Sequence, residues 1–156
     1  MTAPPPFRTQ PTDREFLTFR IGEQEYSIDI MAVREIRCWS HPTPLPHAED
    51  HIRGVINLRG TVIPIIDLAR RLAIPAEEEN ARNVIIVAWI RQQVVGLLVD
   101  AVSDILAIPD TDIHPPPEMG AGRERGCVRS LTIVGDRMLR ILDLEAILPG
   151  TMRGAA

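Results

Sequence analysis

Along residues 15–21, Leu17, Phe19 and Ile21 alternate with Phe16, Thr18 and Arg20, the two-residue period of a strand with one face covered. Gly22-Glu23-Gln24-Glu25 supplies a turn and Tyr26 to Ile30 a second strand, so the chain opens on a predicted hairpin. Val33, Ile36 and Trp39 carry the apolar pattern toward His41 to Pro46, where the prolines disfavour helix. Ile52 to Leu58 and Val62 to Ile66 flank the turn Arg59-Gly60 and predict a second hairpin. Asp67 follows at once as a helix N-cap for Leu68 to Leu72, and Pro75 marks the far end. After a connection over Ala76 to Asn83, Val84 to Ile90 and Val94 to Val99 predict a third hairpin, with Asp100 to Leu106 beyond it. Ile108-Pro109, Pro115-Pro116-Pro117 and Gly120 to Gly126 together read as a long mobile loop. Val128 to Val134 and Met138 to Leu142 form a fourth hairpin across Gly135-Asp136, and Asp143 precedes a last helix over Leu144 to Leu148.

The two halves repeat one another. A shift of 76 positions lays Met138-Leu139-Arg140-Ile141-Leu142-Asp143-Leu144 on Val62-Ile63-Pro64-Ile65-Ile66-Asp67-Leu68. A shift of 69 lays Leu97-Leu98-Val99 on Ile28-Asp29-Ile30, Val102 on Val33 and Ile105 on Ile36. The two shifts differ by seven positions, 76 against 69, which calls for a longer internal loop in the second copy, and the Pro- and Gly-rich stretch provides it. Two copies of one small β unit account for the pattern, and closely spaced short strands suggest small barrels, because closure removes exposed edges.

Composition narrows the function classes. A length of 156 residues suits one domain or two very small ones, and 45 % hydrophobic with 24 % charged residues is the make-up of a folded globular chain. Residues 1–14 hold four of the 14 prolines and read as a flexible tail, and residues 151–156 are set apart as a C-terminal tail. The apolar runs Val62 to Ile66 and Val84 to Ile90 are far shorter than the roughly 20 residues of a membrane helix. No membrane insertion is expected. The first residues lack the charged start and apolar core of a secretory signal, so the expected compartment is the cytoplasm. A net charge of −4, with all 17 basic residues arginine, argues against nucleic acid as a partner. Cys38 and Cys127 have no metal-site spacing and are expected as free thiols.

Candidate chemistry is sparse. His47 and His51 lie four apart, but Glu49 does not follow the first histidine as the zinc-protease motif requires, and no metal or other cofactor is expected. No GxSxG elbow is present, and Gly120-Ala121-Gly122 follows a triple proline rather than a strand. Asp67 and Asp143 form a possible carboxylate pair, yet their identical place at a strand-to-helix junction favours capping. Asp100 suits either a strand corner or an exposed contact. An enzyme built on Asp67, Asp100 or the group His41, His47 and His51 is therefore the rival to a binding module; no catalytic residues are assigned.

The stretch Gly54-Val55-Ile56-Asn57-Leu58-Arg59-Gly60 closely resembles the NLRG segment of the CheW family of bacterial chemotaxis coupling proteins. Glu15-Phe16-Leu17, Tyr26 to Ile30, Val33-Arg34-Glu35-Ile36-Arg37, Val95 to Asp104 and Gly135 to Leu139 extend the resemblance, in order, over nearly the whole folded chain. The resemblance implies a mainly β fold of two SH3-like five-stranded barrels with short helices over residues 15–150. With the repeat, it divides the chain into a first barrel at about 15–80 and a second at about 81–150. It implies no catalysis, and a role bridging the regulatory domain of the histidine kinase CheA to the cytoplasmic tips of chemoreceptors, at membrane receptor arrays. Service in a non-flagellar pathway is the alternative. Carried over by position, Val33, Glu35, Ile36, Gly54, Asn57, Arg59 and Gly60 would lie in or near the receptor-facing groove, Val33 and Ile36 being equally compatible with core. Met119 stands where some relatives place an aromatic residue that contacts a neighbouring kinase domain.

Overall fold

The computed structural model describes residues 13–74, 82–116 and 126–148. Ten strands carry the fold: β1 (Asp13–Ile21), β2 (Gln24–Asp29), β3 (Val33–Cys38), β4 (Ile52–Leu58), β5 (Thr61–Asp67), β6 (Val84–Ile90), β7 (Gln93–Val99), β8 (Ala101–Pro109), β9 (Val128–Val134) and β10 (Arg137–Leu142). Two four-residue helices, α1 (Leu68–Arg71) and α2 (Leu144–Ile147), follow β5 and β10. All four predicted hairpins form, and Asp67 and Asp143 are the caps of the two helices: Asp67 Oδ1 accepts from Arg70 N at 3.3 Å and Asp143 Oδ1 from Glu145 N at 3.1 Å. Cys38 is exposed and Cys127 buried, both as free thiols.

The sheets do not follow the halves of the chain. One has the order β8-β1-β2-β10-β9 and the other β3-β6-β7-β5-β4. Each half therefore gives its first hairpin to one barrel and its last three strands to the other. The division into barrels at about 15–80 and 81–150 is corrected accordingly. The physical reason lies in the duplication: the second half offers the same pairing surfaces as the first, so exchanging hairpins preserves every kind of contact and changes only the connectivity. The registers show it. Thr18 pairs with Asp104 where Val87 pairs with Glu35, and a bulge lies beside each pair. Asp67 N donates to His51 O and Asp143 N to Cys127 O, each at 2.7 Å.

Two boundaries also move. Asp13 and Arg14, expected in the tail, pair with Pro109 and Ile108, so β8 runs through the Ile108-Pro109 step that was expected to begin a loop. Ile108 is buried beside Phe16, which holds the strand in place, and β8 is a sheet edge, where the missing proline N–H leaves no ladder bond broken. The remaining tail residues and residues 117–125 of the Pro- and Gly-rich stretch lie outside the described residues.

Three apolar clusters hold this arrangement. Ile56, Leu58, Ile63, Ile65, Ile85 and Val87 fill one barrel, and Phe16, Ile108, Leu139 and Ile141 the other. The largest cluster lies between the barrels, where Leu17, Phe19, Tyr26 and Ile28 meet Ile86, Ala88, Leu97 and Val99. The central hairpins are thus covered on both faces, which explains the nearly unbroken apolar run of β6. Arg71 Nε donates to Ile147 O at 3.2 Å, so a side chain from α1 satisfies a carbonyl at the end of α2.

Candidate functional site

The β4–β5 turn is tight and left-handed, with φ of 50° at Arg59 and 89° at Gly60. Asn57 Oδ1 accepts from Gly60 N at 2.8 Å and braces it. This backbone throws the Arg59 side chain back over β3, where its Nη2 meets Glu35 Oε2 at 2.8 Å. Glu35 also receives Arg37 Nη1 at 3.2 Å. The hydrogen bond from Arg59, followed by that from Arg37, holds the Glu35 carboxyl below the usual carboxylate range against the opposing effect of its partial burial. Arg59 keeps 70 % of its side chain exposed, so the pair is an external feature and its guanidinium retains donors for a partner.

Of the seven residues singled out from the sequence, Glu35, Asn57, Arg59 and Gly60 meet around this turn. Val33 and Ile36 separate. Val33 packs against the cluster between the barrels, while Ile36, in register with buried Ile86, is 48 % exposed at the rim of that seam. Gly54 is buried under the preceding loop: a Cβ there would stand 2.2 Å from Thr43 O, and its φ is 144°. Its missing side chain serves the bridge between Thr43 and Val55. Met119 lies outside the described residues.

Of the rival positions, Asp67 caps α1, and Asp100 and His51 each make an internal contact. Asp100 Oδ2 accepts from Gly22 N at 2.7 Å, tying the β7–β8 corner to the β1–β2 turn. His51 Nε2 lies 3.1 Å from Glu49 Oε2. Among the described residues no group of three or more His, Cys, Asp or Glu could hold a metal ion, and no helix is long and apolar enough to cross a membrane.

Two features escaped the sequence. Arg34 lies 4.2 Å over the ring of Trp89, a contact created by the pairing of β3 with β6. Arg137 links Glu25 and Asp104, at 3.0 and 3.1 Å, across the mouth of the other barrel. Charge alternation near the strand ends is the only trace either leaves in the sequence, and it does not name the partner.

The family model for the CheW-like domain matches residues 15–151. The chain belongs to the CheW family. A protein of Rhizobium meliloti (strain 1021) named chemotaxis protein CheW is 49 % identical over 143 residues, covering 92 % of this chain and 92 % of its own. A probable chemotaxis protein CheW of Rhizobium etli is 51 % identical over 144 residues, covering 92 % and 93 %. Among solved structures, the scaffolding protein TtCheW of Thermoanaerobacter tengcongensis superposes with a TM-score of 0.79 at 32 % identity, over 84 % of this chain and 89 % of that one. The CheW fold is thus established by sequence and by architecture, with two five-stranded sheets and few helices.

Proposed function

We propose that this CheW protein is a non-enzymatic adaptor that couples the cytoplasmic tips of chemoreceptors to the regulatory domain of the histidine kinase CheA. It would work in the cytoplasm, recruited to membrane receptor arrays. The observation that carries the reading is the exposed Glu35–Arg59 pair on a braced turn, in a chain whose relatives are named chemotaxis proteins. A turn pinned by Asn57 and left-handed at Arg59 presents a guanidinium with little further ordering cost, which is what a recognition site needs. Ile36 adds apolar area at the seam between the barrels, suited to one face of a helix. The seven residues Val33, Glu35, Ile36, Gly54, Asn57, Arg59 and Gly60 form the receptor side of this reading, with Gly54 and Val33 acting through the backbone and packing that hold the others. Met119 is assigned to the kinase side. Binding of purified full-length protein to a receptor signalling fragment and, separately, to the kinase regulatory domain tests the reading. Both should bind; failure of either removes the bridge.

A further inference from the structure

The two barrels share one plan and differ in what fills them. Thr18, Ser27 and Thr132 of the barrel containing β1 correspond to Val87, Gly96 and Ile56 of the other, and the ladders fix the correspondence. Ser27 pairs with Thr18 and Ile141 as Gly96 pairs with Val87 and Ile65, and Thr132 pairs with Leu139 as Ile56 pairs with Ile63. Cross-strand partners share a face, and Leu139 and Ile141 belong to the apolar cluster inside the barrel. The hydroxyls of Thr18, Ser27 and Thr132 therefore lie in that interior, and all three residues are 0 % exposed.

One of the three is satisfied. Thr18 Oγ1 donates to Asp104 O at 3.0 Å and accepts from Asp104 N at 3.1 Å. Ser27 Oγ and Thr132 Oγ1 have no hydrogen-bond partner among the described residues. A buried hydroxyl left unpaired forfeits its hydration with nothing in return, so native interiors satisfy such groups with protein or with enclosed water. Packing does not demand hydroxyls here, since glycine and isoleucine serve the matching places in the other barrel.

The surroundings suit water. Glu25, Leu139 and Thr132 form one row across β2, β10 and β9, and Glu25 Oε2 accepts from Arg137 Nε at 3.0 Å. Arg137 Nη1 continues to Asp104 Oδ2 at 3.1 Å, and Asp104 is joined to Thr18. Polar groups thus gather in the part of the interior beneath this bridge, while Phe16, Ile108 and Ile141 lie further along the strands. Thr132 is also one carbon shorter than its counterpart Ile56, and a water molecule is about the size of the methyl group that is missing.

We propose that the barrel containing β1 binds internal water at the Ser27 and Thr132 hydroxyls, beneath the Arg137 bridge. The other barrel, apolar at the matching positions, binds none there. A hydroxyl both donates and accepts, so water can meet each of them in either sense, at a small cost in immobilisation entropy.

Oxygen-17 magnetic relaxation dispersion of the solvent tests this on the full chain, because it registers whole water molecules held in the protein and not exchanging hydroxyl protons. Wild-type protein should show a dispersion step from long-lived water. Thr132→Val, which keeps the side-chain shape and deletes the hydroxyl, should lose part of that step, and Thr132→Ser, which keeps the hydroxyl, should retain it. Thermal unfolding gives a second readout. Replacing an orphaned hydroxyl by an isosteric methyl removes an unpaired group and raises the midpoint, whereas replacing one that water serves leaves that water short of a partner. The midpoint of Thr132→Val should therefore not rise above wild type. An equal step in Thr132→Val or a raised midpoint overturns the proposal. So does a wild-type protein with no step, a result that stands whether or not the variant folds.

Discussion

Arg59 and Glu35 meet at 2.8 Å across the gap between the β4–β5 turn and β3, joining two segments 24 residues apart at the surface of one barrel. Because Arg59 is held on both sides, by its own turn and by Glu35, its replacement should cost recognition more than fold. Arg59→Glu would set two carboxylates against each other and remove the donor fork, and receptor affinity should fall about tenfold, or about 1.4 kcal/mol. The unfolding midpoint should stay close to wild type, since the pair is exposed. The exchanged double variant Glu35→Arg/Arg59→Glu separates two roles: it restores the internal pair, so recovery of binding would show that Arg59 only organises the turn, whereas continued loss marks it as a contact.

Asp67→Ala and Asp143→Ala should each destabilise by about 1 kcal/mol in urea unfolding, because each removes the acceptor for the first amides of a four-residue helix. The two losses should not add cleanly, since Arg71 of α1 donates to a carbonyl at the end of α2. A change near zero at both sites would remove capping as their role.

Gly54→Ala should be the most damaging of the small changes. A methyl group there would collide with Thr43 O at 2.2 Å, and the φ of 144° suits glycine alone. A loss of about 2 kcal/mol or more is expected. Relief must come from lifting the loop, so amide exchange at Val55, whose N–H donates to Thr43 O at 2.9 Å, should accelerate more than exchange in β6 or β7. Uniform acceleration would contradict that local account.

Acid stability should depend on Arg137. Its hydrogen bonds, with that of Thr18, hold the Asp104 carboxyl below its ordinary value of 3.8. A carboxylate with a depressed folded value stabilises the fold above its unfolded value and loses that contribution as pH falls through the folded one. Wild-type protein should therefore lose stability as pH falls from about 5 toward and below 4, and Arg137→Gln, already lacking the contribution, should show a shallower decline. Parallel declines would show that the network contributes nothing to the pH dependence.

How far the sequence reached is visible in particular residues. Alternation and turn chemistry locate every hairpin, and the repeated strand-Asp-helix junction exposes both caps, because these are local relations. The exchange of hairpins is invisible, since a duplicated chain offers two partners of the same pattern, and nothing near Thr18 or Val87 says which copy it will meet. Ile108 reads as loop beside a proline until Phe16 is seen against it. Asn57, Arg59 and Gly60 stand out because they share one turn, whereas the Arg34–Trp89 stack joins β3 to β6 and needs the fold before it exists. Gly54 signals a close approach, but only the structure shows Thr43 making it.

The central claim is that one molecule bridges two partners. Receptor signalling fragments immobilised on a surface should capture the kinase regulatory domain when this protein is added and not otherwise, with capture saturating at one kinase domain per bound adaptor. Capture that is independent of the added protein, or competition between the two partners for it, would contradict the account.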